Sequence, residues 1–125
     1  MDQFICFITI PHTKNYFTHD TMETGDVVSL CCAVDNEVDV SNRTGLLPIG
    51  MTLNTVMVGG KVSVLIKGTF LYKFDESLEL PIKQPIYVDL KNSKLSWKKL
   101  GPKVGYLLEP QNKNGECHIK VNFME

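Results

Sequence analysis

A glycine pair followed by lysine, GGK at residues 59–61, has the residue types of a phosphate-binding loop. In such a loop, spaced glycines end in Lys-Ser or Lys-Thr and open a helix, so that backbone amides face the anion. Here VSV at 62–64 follows, with the two-residue period of a strand. The nearby GLLPIGM (45–51) has the outer glycine spacing but no lysine. We therefore interpret these glycines as turns between strands.

The cysteines and histidines show no metal-binding pattern. Cys31 and Cys32 are adjacent in a predicted strand, so their side chains should point to opposite faces. No Cys-x-x-Cys pair occurs, and no histidine stands at zinc-ligand spacing from a cysteine. We expect buried, reduced thiols and no metal site; the residues concerned are Cys6, Cys31, Cys32, Cys117, His12, His19 and His118.

Searches for catalytic groups give the same result. DNEVD (35–39) could gather a hard cation, but it lacks the glycine and the closing glutamate of a calcium loop. There is no Gly-x-Ser-x-Gly elbow and no His-Glu-x-x-His helix. The sequence predicts no catalytic residue, no cofactor and no enzyme activity.

Aromatic and basic residues mix in one stretch, which contains Lys94, Trp97, Lys98 and Lys99. One interpretation is a small barrel that binds nucleic acid or carbohydrate there. The favoured interpretation is a protein contact, because core and interface aromatics are common. A net charge of -1 also predicts no general attraction to nucleic acid or to a membrane surface.

Charge is divided unevenly along the chain. Residues 1–62 carry three basic and seven acidic side chains, whereas residues 63–125 carry ten basic and seven acidic ones. This division suggests that copies associate, with the acidic part of one facing the lysine-rich part of the next. Such head-to-tail contacts close naturally into a ring, for example a trimer.

The periodicity is that of a sheet protein. In ECHIKVNF (116–123), apolar and polar residues alternate, as in a strand with one buried face. With 125 residues, 43% of them hydrophobic, the chain predicts one all-β domain. We expect a small β-barrel or sandwich of about seven to nine strands, with tight hairpin turns and little helix. Further strand-like runs lie at 26–33, 49–57, 61–70, 86–90 and 104–108.

The order of these blocks resembles the capsid-decoration (head cement) proteins of tailed bacteriophages. In that family a Gly-Asp strand opens the fold, a glycine turn leads into V-x-V-x-G-x-F, and a Y-x-D strand and a glycine-led V-x-V strand follow. Bulkier residues, such as Met51 and Leu107, replace the family's alanines. The matching blocks are TGDVVSL (24–30), PIGMTLNTVMVGGKVSVLIKGTFLYK (48–73), PIYVDLKNSKLSW (85–97) and VGYLLEPQNKNGECHIKVNF (104–123).

The resemblance implies a virion structural protein that binds the outer face of an assembled capsid and cements its subunits. It implies a homotrimer whose partner is the major capsid protein, made in the bacterial cytoplasm and then carried on the capsid exterior. Another virion part, such as a head-fibre base or a tail component, shares most of these features and stays an alternative.

The N-terminal segment has no counterpart in the short form of that family. We divide the chain into residues 1–23, a strand plus an extended arm, and residues 24–125, the decoration domain. The apolar run 4–10 is too short to span a membrane, and an open apolar edge would aggregate. We favour it as a strand of the chain's own sheet, with 11–20 as the arm. The predicted contact residues are Pro11, His12, Tyr16, Phe17, Lys94, Trp97, Lys98 and Lys99.

Overall fold

The computed structural model describes residues 3–31, 36–74 and 79–124, and the all-β prediction is confirmed. Ten strands form one hydrogen-bonded sheet in these ranges, with a single helical turn. The elements are β1 Gln3–Phe7, β2 His12–Thr18, β3 Val27–Leu30, β4 Glu37–Val40, α1 Ser41–Thr44, β5 Gly50–Thr52, β6 Lys61–Lys73, β7 Pro85–Asp89, β8 Lys94–Ser96, β9 Lys103–Glu109 and β10 Glu116–Asn122.

Strand β6 organises the sheet, because each half of it pairs on both edges. Its first half pairs with β2 on one edge and with β5 on the other. Its second half pairs with β1 and β10. The pairings β2-β4-β3-β5-β6 return to β2 and form a ring, while β10-β9-β7-β8 extends from β6 as a second layer.

Two hydrophobic cores lie on opposite sides of the β3-β5-β6 wall. The first core lies between this wall and the β7–β10 layer, and Val27, Met51 and Leu65 contribute to it from the wall. The second core is lined by the ring strands and includes Val28 and Val64. Because both faces of the wall are buried, VLI at 64–66 is a continuous apolar run and not an alternating one.

The aromatic residues of the first core form a chain of ring contacts. Phe4 of β1 packs on Phe70 at 5.5 Å between ring centroids, and Phe70 contacts Tyr72 edge to face at 6.1 Å. This contact explains why β1 belongs to its own chain's sheet, as expected for the run 4–10. Only Gln3–Phe7 is strand, and Ile10 beyond it is 98% exposed.

The arm predicted for residues 11–20 is corrected by the structure. His12–Thr18 is β2, antiparallel to β6 and parallel to β4 of the same chain. Its sequence HTKNYFT shows little apolar pattern because only Tyr16 and Thr18 are buried, and backbone hydrogen bonds supply most of its attachment.

Several predicted strand bounds also change. The run 49–57 is strand only over Gly50–Thr52. Further along the run, Val56 forms an isolated antiparallel bridge with Met22. Strand β3 ends at Leu30, and the remainder of the run 26–33 lies partly outside the described residues. Strands β7 and β8 pair antiparallel across a short turn, in agreement with the general expectation of tight hairpins.

The expectation of buried thiols holds for Cys117 alone among the described cysteines. Burial raises the pKa of the Cys117 thiol to about 11. Cys6 is exposed and Cys31 is half-buried, because one lies on an outer strand and the other follows the end of β3. Cys32 lies outside the described residues.

Two glycines flank Val121 across the sheet and offer a matched test of packing. Val121 pairs with Gly68 on β6 and with Gly105 on β9. A Cβ at Gly105 would stand 2.0 Å from the Lys120 carbonyl oxygen, whereas one at Gly68 would meet its nearest atoms at 3.4 Å.

We expect Gly105→Ala to lower the free energy of unfolding by about 1–3 kcal/mol, because β9 must move away from β10. Gly68→Ala should change it by less than about 0.5 kcal/mol. Urea denaturation of both variants checks this, and equal losses would contradict the packing described here.

Because the Cys117 thiol is buried, we expect the protein to lose stability at alkaline pH. Its folded pKa is raised from 9.0 to about 11, so the stabilisation is complete below pH 9 and is lost as pH rises towards 11. The loss is roughly 3 kcal/mol at most. Urea unfolding should show a smaller pH 9 to 11 decrease for Cys117→Val than for the unmodified chain, and parallel curves would refute it.

Candidate interaction surface

The two predicted contact groups do not form one surface. Tyr16 is buried in the second core, and Phe17 beside it is 54% exposed. Trp97 packs against the first core, with the Lys98 ammonium 5.1 Å from the centre of its ring. Strand β2 belongs to the ring, whereas β8 is the last strand of the second layer, and this separates the two groups.

The remaining predicted residues differ in exposure. Pro11 is half-buried, and His12, Lys98 and Lys99 are exposed. Lys94 is not a free contact residue, because its ammonium forms an ion pair with Asp26. The acidic first half therefore meets the lysine-rich second half here within one chain, although we expected such contacts between copies.

A groove of about 360 Å³ contains several exposed leucines, and the sequence did not predict it. Its walls come from the α1–β5 loop and from the loops that follow β7 and precede β9. We call it the leucine groove; Leu46, Leu47, Pro48, Leu90 and Pro102 line it, and Leu100 lies beside Leu90.

Polar contacts fix one wall of this groove. Helix α1 ends at Gly45, whose positive φ of 67° reverses the chain before Leu46. The Ser29 hydroxyl donates to the Leu46 carbonyl at 3.0 Å. The Asn42 backbone N–H donates to the Ser93 hydroxyl at 2.8 Å and so ties α1 to the β7–β8 turn.

The opposite wall depends on close backbone packing. A Cβ at Gly101 would lie 2.1 Å from the Val88 carbonyl oxygen and 2.9 Å from Leu90 Cγ. Glycine therefore allows the 100–102 segment to lie against β7 and places Leu100 next to Leu90. The groove is consequently built into the fold and does not depend on loose loops.

Three lysines are the sequence neighbours of residues in or beside the leucine groove. Lys91 follows Leu90, Lys99 precedes Leu100 and Lys103 follows Pro102, and all three lysines are exposed. An apolar centre with a polar rim is the usual anatomy of a protein interface. This arrangement can hold an apolar segment with carboxylates beside it.

The sequence contained one signal of this groove. Leu46 and Leu47 are consecutive apolar residues in a segment between glycine turns, with no strand period. The spacing of Gly45 and Gly50 in the same segment resembles a phosphate loop only in its outer glycines. The structure agrees that GGK at 59–61 is a turn, because Gly59 has φ 76° and Lys61 begins β6.

Comparison with known proteins gives a fold match. No family model and no curated protein sequence matches the chain. Among solved structures it is similar to the N-terminal base of the head fibre gp8.5 of bacteriophage phi29, with 9% identity and a TM-score of 0.55. The match covers 91% of this chain and 96% of that chain. At this identity the match shows a shared fold, and it does not place the chain in the decoration family.

Within the described residues, no helix has the length and apolar character needed to cross a bilayer.

Proposed function

We propose that this chain is a structural protein of a bacteriophage virion, attached to the outer surface of the head. The observation that carries the proposal is the shared fold over nearly the whole of both chains with a phage head-fibre base. Of the two head-surface roles left open by the sequence, this similarity favours a fibre base over a cement protein.

The leucine groove is the proposed attachment surface. Leu47 is 80% exposed, and exposed apolar groups that border one another mark contact sites more often than single ones do. The adjacent lysines favour a capsid segment that presents an apolar side chain flanked by carboxylates. Many weak contacts of this kind hold a head-surface protein firmly when several copies act together.

Strand β1 supports the proposed self-association. Among the described strands it pairs only with β6, which leaves its other edge open. Phe7 and Ile8 near this edge are about two-fifths exposed, and Ile10 is almost wholly exposed. A neighbouring copy would cover an edge that is otherwise prone to aggregation. The proposed assembly is a homotrimer.

Leu47→Asp should reduce co-sedimentation with empty heads of the encoding phage by about tenfold or more, because it places a charge in the apolar floor. Leu47 is exposed, so the fold should be unaffected. Met57→Asp is the matched control, since Met57 is 75% exposed and lies beside β2, away from the groove lining.

Failure of the unmodified chain to sediment with heads would contradict the head-surface role. Loss of binding in Met57→Asp alone would move the attachment surface to the β2 side, where Phe17 was predicted to act.

Ile10→Lys should shift the native mass from trimer towards monomer, because a charge just beyond the end of β1 opposes burial of this apolar surface against a neighbouring copy. Native mass spectrometry measures this, with Ile82→Lys as an exposed control distant in sequence. A monomeric unmodified chain, or an unchanged trimer in Ile10→Lys, would contradict assembly through β1.

A further inference from the structure

Three potential metal ligands meet where three ring strands end. His19 follows β2, Cys31 follows β3 and Glu37 begins β4. The strand register places Phe17 of β2 beside Glu37 and Leu30 of β3 beside Val38, so the end of β2 and the end of β3 both lie next to the start of β4. The His19 N–H donates to the Val38 carbonyl and the Cys31 N–H to the Glu37 carbonyl, both at 2.8 Å.

The side-chain geometry is close to that of a metal centre. The three ligand atoms all lie within 4.8 Å of one another, and His19 Nδ1 is 2.9 Å from Glu37 Oε1. Around a tetrahedral zinc ion, bonds of about 2.0–2.3 Å place neighbouring ligand atoms about 3.3–3.7 Å apart. Small side-chain rotations would therefore suffice, because the backbone already holds the residues together.

The donor set indicates which metal the site would take. Thiolate and imidazole favour zinc over magnesium or calcium, which prefer oxygen ligands. Glu37 is drawn towards the site by His19, whereas the neighbouring carboxylates Asp20 and Asp39 are occupied by Arg43. His19 is more than half exposed, so an ion can enter from solvent.

We propose that His19, Cys31 and Glu37 bind one Zn²⁺ ion, with a fourth position open to water. The ion ties the ends of β2, β3 and β4 together and so stabilises this end of the ring. The increase in the free energy of unfolding grows with the logarithm of the free zinc concentration once that concentration exceeds the dissociation constant. This proposal is independent of attachment to a phage head.

The test is a titration of the reduced full-length chain with Co²⁺, followed by displacement with Zn²⁺. We expect one Co²⁺ per chain, tetrahedral visible bands and a thiolate charge-transfer band that Zn²⁺ abolishes. Cys31→Ser should remove the charge-transfer band, and Cys6→Ser, which alters an exposed cysteine on β1, should retain it.

His19→Gln and Glu37→Gln should each weaken Zn²⁺ affinity by about tenfold or more. In the unmodified chain Zn²⁺ should raise the melting temperature, and in Cys31→Ser it should not. Far-UV circular dichroism verifies that each variant is folded. The site would be overturned by an unchanged charge-transfer band in Cys31→Ser, by the absence of a zinc-dependent shift in melting temperature in the unmodified chain, or by a Zn²⁺ affinity in His19→Gln or Glu37→Gln equal to that of the unmodified chain.

Discussion

The structure depends on one strand being buried on both faces. Strand β6 forms part of the wall between two cores, with Leu65 in one and Val64 in the other. Replacing a surface residue changes the free energy of unfolding little. Shortening a buried residue of this wall removes contacts in a closely packed core and lowers that free energy more. The ring and the second layer are therefore stabilised by the same strand, and separating them would expose one face of β6 to solvent.

This shared wall explains how much of the fold the sequence predicts. Strand β10 has one buried face, so Cys117, Ile119 and Val121 alternate with polar residues and mark it clearly. Strand β2 gives no such signal, because most of its side chains are exposed and its attachment is through the backbone. Strand β4 is short and carries two acidic residues, so DNEVD at 35–39 has no apolar pattern that would predict a strand.

The candidate sites were harder to predict than the strands, for a physical reason. A motif search finds ligands that are near in sequence, whereas His19 and Glu37 meet through a parallel pairing of β2 with β4. The leucine groove similarly joins loops after α1, after β7 and before β9. Both depend on long-range topology, which single-sequence periodicity does not contain. Leu46 and Leu47 in a turn were the one local sign.

The two proposed sites make different demands on the same rigid body. Helix α1 is tied to β3 by the 2.8 Å contact between the Ser29 and Ser41 hydroxyls and to the β7–β8 turn by Asn42. The leucine groove is therefore formed before any partner arrives, and binding there need not meet the cost of ordering a loop. The proposed metal ligands are held by backbone contacts to β4, and the side chains of His19 and Glu37 meet in an exposed contact of 2.9 Å. A preformed groove suits lasting attachment to a large assembly. A cluster of three ligand side chains where strands end suits a small ion, which can bind after small side-chain rotations.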